Sequence, residues 1–241
     1  MRDEVAGGAT SLLMTIPSVG SDLNQITLSD FKVTSPEGGL WGSASTWLMT
    51  FNELGQVSGD YAYVDELDLQ GYGCKPGWYE KNSLDEYDPV SADNVIIKFG
   101  EGVQILSDCG AIITFSGEVI KESKTFNILS AEDGGCTTTG NCSPVNLKLK
   151  DLAITSPEGG LWGSASTWLM TFNELGQVKG DYAYVDELDL QGYGCEPGWY
   201  EKNSLDEYDP IPAGNVDILA GEMVQILSDC GAKITIPSAL E

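Results

Sequence analysis

The chain has 241 residues, with 37 Asp and Glu against 12 Lys and Arg, a formal charge of −25, and no histidine. That balance excludes a basic groove for nucleic acid, and the missing imidazole excludes Ser-His-Asp and Cys-His catalysis and histidine metal sites. Hydrophobic residues at 41% can supply a core, and no apolar run approaches the ~18 residues of a membrane span.

From the N-terminus, Ser11–Pro17 (SLLMTIP) reads as a first strand, and Gln25–Ser29 alternates polar and apolar. Pro36-Glu37-Gly38-Gly39 is turn chemistry. In the next run Trp47, Met49 and Phe51 share one face and Thr46, Leu48 and Thr50 the other. Tyr61 and Tyr63 alternate with Ala62 and Val64, and Lys75-Pro76-Gly77 turns the chain again. Val95–Ile97, Val103–Leu106 and Ile112–Phe115 are short β-branched runs, and no window carries a capped helical stripe.

The same order then repeats. Thr155–Pro210 copies Thr34–Pro89 with two changes, Lys179 for Ser58 and Glu196 for Lys75, at an offset of 121 residues. The offset holds through VQILSDCGA, while upstream a second alignment places Glu4-Val5 on Glu118-Val119 and SLLMTIP near TFNILSA. The difference is assigned to an inserted loop, Cys136–Cys142. The expectation is an all-β protein of about eight short strands per copy. It would form two tandem antiparallel β-sandwich or barrel-like domains, residues 1–117 and 118–241.

The copies also test burial. Ile96 becomes Asp217 and Ile112 becomes Lys233, which predicts that both positions lie outside the shared core, because an unpaired buried charge is costly. The paired exchange suggests cross-strand neighbours, or else two independent surface changes. Ile96 and Ile112 would then form an outward apolar patch that something covers.

Six cysteines fall into related pairs. The symmetry favours intradomain bridges Cys74–Cys109 and Cys195–Cys230, with Cys136–Cys142 closing the loop, which predicts an oxidising compartment. The acidic segment Asp65, Glu66 and Asp68, with Asp186, Glu187 and Asp189, offers oxygen ligands for calcium. It lacks a dedicated loop spacing, so a solvated acidic face is the leading expectation and no cofactor is assigned. Trp41, Trp78 and Tyr79, with Trp162, Trp199 and Tyr200, sit in Gly-rich surroundings. They either stack on a glycan or pack at the end of a sandwich. Asn141-Cys142-Ser143 is a short glycosylation sequon.

Asp3–Val5, Gly77-Trp78-Tyr79, Gly100–Val103 and Ser116–Val119 together resemble tandem modules of secreted bacterial surface proteins. The second copy departs at Ala220–Met223 and at Pro237–Ala239. The resemblance implies β-rich structural modules and no catalytic residues. These readings converge on a non-enzymatic extracellular or cell-surface structural protein, secreted although this chain shows no leader. Its homopolymer would join through Ser11, Leu12, Leu13, Met14, Thr15 and Ile16, with Ile96 and Ile112. A bivalent carbohydrate-binding or adhesive module, calcium-assisted, is the alternative.

Overall fold

Alternation in the sequence becomes strands that bury every second residue in Lys32–Thr34, Thr46–Phe51 and much of Gly102–Ser107. In the computed structural model, which describes residues 2–5, 10–15, 25–36, 38–52, 56–98, 101–114, 123–130, 137–141, 143, 145–173, 176–206 and 209–237, the first copy runs through ten strands. These are β1 (Arg2–Val5), β2 (Thr10–Thr15), β3 (Gln25–Thr27), β4 (Lys32–Thr34), β5 (Thr46–Phe51), β6 (Val57–Val64), β7 (Gly77–Glu80), β8 (Ile96–Lys98), β9 (Gly102–Ser107) and β10 (Ala111–Thr114). The second copy supplies β11 (Lys124–Ile128), β12 (Thr137–Gly140), β13 (Leu147–Lys148), β14 (Ala153–Thr155), β15 (Thr167–Phe172), β16 (Val178–Val185), β17 (Gly198–Glu201), β18 (Asp217–Ile218), β19 (Met223–Ser228) and β20 (Ala232–Ile236). The chain is all-β and divides into two compact units, whose bulk is residues 1–119 and 120–241. The boundary expected at residues 117–118 lies outside the described residues.

Among the described residues each unit has the same three antiparallel sheets. In the first they are ordered β2-β9-β5-β6-β7, β1-β10-β4 and β3-β8; in the second, β12-β19-β15-β16-β17, β11-β20-β14 and β13-β18. One apolar cluster of the first unit draws on all three sheets: Leu48, Val103 and Ile105 from the large one, Val33 and Ile113 from the second, and Ile26 and Ile97 from the third. Each such fully buried Leu or Ile contributes roughly 1.5–3 kcal/mol. On β5 the buried face is the Thr46, Leu48, Thr50 set, while Trp47, Met49 and Phe51 are half-exposed. The two buried threonines tolerate this because their hydroxyls are bonded, Thr46 to Ser107 at 3.0 Å and Thr50 to Ser58 at 2.9 Å.

Short helices, which the sequence analysis did not place, interrupt the strands. They are α1 (Leu69–Tyr72) and α2 (Lys81–Asp85), repeated as α3 (Leu190–Tyr193) and α4 (Lys202–Asp206). At four or five residues they are too short to show a period. α1 stops on Gly73 at φ 70°, the left-handed cap that glycine adopts freely.

Register corrects the upstream alignment. Val5 and Ile128 stand opposite Ala111 and Ala232, and Leu12 and Thr137 stand opposite Ile105 and Ile226. So β11 takes the place of β1, and the expected loop at Cys136–Cys142 instead carries the edge strand β12. Short β-branched runs resemble one another, and only their hydrogen-bonded partners tell them apart.

The expected pairing of Ile96 with Ile112 is also corrected. β8 and β10 lie in different sheets: Ile96 faces Thr27 and is 48% exposed, whereas Ile112 faces Glu4 and Thr34 and is 6% exposed. Asp217 therefore pairs not with Lys233 but with its register partner Lys148, at 3.1 Å. The exchanged couple is Thr27–Ile96 for Lys148–Asp217.

The bridges Cys74–Cys109 and Cys195–Cys230 are absent, and all four residues are free thiols. Cys74 is turned into an outer apolar cluster with Ala44, Ala62 and Val64, against the Tyr79 hydroxyl, while Cys109 is exposed next to Gly110. Cys195 and Cys230 repeat this arrangement. Near-identical copying preserves a cysteine whether or not it is bonded, so symmetric spacing carried no independent information on pairing. Cys136 and Cys142 lie outside the described residues.

Candidate functional site

The acidic segment after β6 folds back onto the loop before β5. Gly42, Ser43 and Ala44 all have left-handed backbone, with φ 70°, 57° and 46°. For the two non-glycine residues this is costly and needs support from outside the loop. The support is Asp65 and Asp68, both buried. Asp65 Oδ2 accepts the Trp41 and Gly42 N–H groups at 2.7 and 2.8 Å, and Oδ1 accepts Leu67 N–H at 2.8 Å. Asp68 accepts the N–H groups of Ala44, at 3.0 Å, and of Asp65, at 3.1 Å. The Trp41 indole N–H closes the arrangement on Gly110 O at 2.8 Å. Burial, the largest single influence, raises the Asp65 pKa, but the N–H groups of Gly42, Trp41, Leu67 and Asp68 together outweigh it and hold the carboxyl below the usual carboxylate range.

Asp186 and Asp189 do the same for Trp162, Gly163 and Ala165. These four aspartates, offered by the sequence as calcium ligands, are spent on backbone amides, while Glu66 and Glu187 are exposed. Among the described residues no group of three or more Asp, Glu or Cys is placed to hold a metal ion.

The aromatic candidates are packed rather than presented. Trp78 is 1% exposed and Trp199 3%, each edge-on to a tyrosine (Tyr63 and Tyr184) at 5.4 Å. Tyr79 and Tyr200 are buried and donate their hydroxyls to the carbonyls of Lys75 and Glu196, at 3.0 and 2.9 Å. Trp41 and Trp162 are half-buried and fixed through their indole N–H groups. Burial of Trp78, Tyr79, Trp199 and Tyr200 leaves these four without the open ring face that sugar stacking requires. The sequon closes as well: Asn141 is buried, donates to the Val145 and Ile218 carbonyls at 2.8 and 3.0 Å, and accepts Ser143 N–H at 2.9 Å.

Sequence reasoning missed a cluster on the outer face of the large sheet. The Lys81 ammonium lies 4.7 Å from the Trp47 ring centre and 3.7 Å from Asp60; Lys202, Trp168 and Asp181 repeat it at 4.5 and 3.8 Å. The alternation of Trp47 with buried Leu48 was the available signal.

Of the assembly candidates, Ser11 to Thr15 lie in β2 and pair antiparallel with β9 of their own sheet, and Ile16 lies outside the described residues. Among the described residues β2 is the terminal strand of the five-stranded sheet, as β12 is of its counterpart. The six residues of β2 (TSLLMT) carry no charge, and the four of β12 (TTTG) are shorter and more polar. No described helix is long and apolar enough to cross a membrane. Comparison with protein-family models, curated proteins and solved structures finds no match for the chain.

Proposed function

We propose that this chain is a non-enzymatic extracellular structural protein, two tandem β-sandwich domains that self-associate into a surface filament or array. The observation that carries this reading is β2: an uncharged six-residue strand at a sheet edge, with β9 as its one strand partner among the described residues. Such an edge presents a row of backbone donors and acceptors to another chain. Edge-to-edge addition replaces strand donation here, because β2 is held by its own sheet. The unlike edges β2 and β12 favour a head-to-tail contact, which propagates when it does not close on itself.

The aspartates are consumed as loop anchors and histidine is missing, which supports a role without catalysis. The extracellular setting rests on the motif likeness and the acidic duplicated modules, not on the cysteines. The test is light scattering and electron microscopy of the purified chain beside Leu13→Lys. Position 13 stands opposite Gln104, half-exposed on β9 between buried Val103 and Ile105. Polymers in the parent and their loss in a folded Leu13→Lys protein support the reading. A parent that stays monomeric at all concentrations, or polymers unaffected by the lysine, overturns it.

A further inference from the structure

The two units diverge at one place where a side chain in the first is replaced by space in the second. In the first unit Asp93 reaches over Gly77, and its Oδ1 accepts the Trp78 N–H at 2.9 Å. A methyl group placed on Gly77 would lie 2.9 and 3.0 Å from the two Asp93 carboxylate oxygens. The equivalent of Asp93 is Gly214. A methyl on Gly198 meets only Tyr200 Cε2, at 4.0 Å, and one on Gly214 meets only Lys150 Cβ, at 3.4 Å.

The backbone around this place is unchanged. The Ser29 N–H to Asp93 O bond and the Lys150 N–H to Gly214 O bond are both 3.0 Å, and Ala92 and Ala213 each donate to the tryptophan carbonyl at 2.7 Å. β7 and β17 keep the same register against β6 and β16. The Trp199 N–H thus keeps the orientation of the Trp78 N–H, and among the described residues no acceptor faces it. A cavity of about 320 Å³ opens there, with Lys150, Leu152, Tyr184, Trp199 and Pro212 on its wall. Lys150 stands where the first unit has Ser29, and its Nζ donates to Asn215 Oδ1 at 3.0 Å.

We propose that the second unit binds a small monocarboxylate with an apolar or aromatic body. Its carboxylate sits at the Trp199 N–H and Lys150, where the first unit seats its own Asp93 side chain. The first unit demonstrates that the cradle accepts a carboxylate, even with Asp65 and Glu66 close enough to act on Tyr63. The second unit removes the built-in carboxylate and adds a cation, which strengthens hydrogen bonding to an anion. The rest of the wall mixes polar surface with the apolar side chains of Leu152, Pro197 and Pro212, and the volume is at the lower end of small-molecule sites.

The test is amide NMR of the full chain during titration with sodium benzoate, with sodium chloride and sodium phosphate at matched ionic strength. Benzoate should shift the Trp199 amide saturably and leave Trp78 unmoved, while the other two salts give no saturable shift. Lys150→Gln should weaken binding about tenfold, and Gly214→Asp should abolish it while keeping the fold of the first unit's equivalent. The proposal is overturned if the Trp199 amide does not saturate, if phosphate or chloride reproduces the shift, or if Gly214→Asp still binds. Because the site lies within one unit, these readouts do not depend on whether the chain polymerises.

Discussion

The two units are a comparison the protein makes with itself. Within Thr34–Pro89 and its copy, where two residues differ, the geometry repeats closely: Trp41 and Trp162 each bond their aspartate at 2.7 Å. Just outside that block the side chains diverge while the backbone does not. Leu28 N–H to Val95 O and Leu149 N–H to Val216 O are both 3.0 Å. Divergence has therefore fallen on side chains and spared these main-chain pairings. Asp65 and Asp68, which hold backbone, are kept in both copies as Asp186 and Asp189. Asp93 is not: it holds the Trp78 amide in the first unit and has been lost from the second, as has Ser91, whose hydroxyl accepts the Asp93 N–H at 3.4 Å and whose place Pro212 takes.

The largest effect should come from the shared anchor. Asp65→Ala strands the N–H groups of Trp41, Gly42 and Leu67 and leaves the left-handed Ser43 and Ala44 unsupported, a loss of about 3–5 kcal/mol from the first unit. Asp186→Ala should do the same to the second unit. Hydrogen exchange in Ala92–Ser107 and Ala213–Ser228, whose sequences differ, separates the two responses. Equal loosening of both segments by either variant would show that the units do not unfold separately.

Acid offers a gentler route to the same anchor. The folded pKa of Asp65 lies below that of the unfolded chain, so its contribution is fully present above the unfolded value, about 3.9, and is lost as pH falls through the folded value. Asp65→Asn removes that titration. The difference in stability between parent and variant should be constant near neutrality and shrink below about pH 4. A difference that grows on acidification would contradict the depressed pKa.

Next in size is the place where the copies part. Asp93→Gly removes a charge-assisted bond to the Trp78 N–H and adds backbone freedom, for about 2–3 kcal/mol. The reverse change, Gly214→Asp, should stabilise the second unit by about 1 kcal/mol without ligand. Thermal unfolding of both variants checks the opposite signs.

Fold class was legible from Gln25–Ser29, Thr46–Phe51 and the β-branched runs, because a period of two survives in a single sequence. Which face of β5 is buried was not. Thr46 and Thr50 are the inward residues, and the hydroxyls that satisfy them, Ser107 and Ser58, come from other strands. The aspartate anchors were visible only as acidic density, since their partners are main-chain N–H groups that no residue letter announces. The cysteine pairing failed for a different reason: a duplicated pattern was counted as two observations. The Asp93 to Gly214 change was in plain view, but it had no meaning until Gly77 and Gly198 were seen to face those positions.

The smallest expected effect concerns Lys148 and Asp217. The pair is 3.1 Å apart, but its side chains are 40% and 55% exposed, so a double-mutant cycle to Thr and Ile should give a coupling of only about 0.5 kcal/mol, fading with salt. Grafting the pair onto the first unit as Thr27→Lys with Ile96→Asp should gain even less. The Thr27 hydroxyl donates to Asp30 Oδ2 at 2.8 Å, a bond that the Lys148 ammonium does not reproduce, being turned to Asn215 O and Asp217 Oδ1 instead. The backbone cap would survive, since Thr27 N–H to Asp30 and Lys148 N–H to Asp151 are both 2.8 Å. The graft should therefore leave stability nearly unchanged. A gain above about 1 kcal/mol would show that the apolar Thr27–Ile96 couple costs the first unit something that burial alone does not reveal.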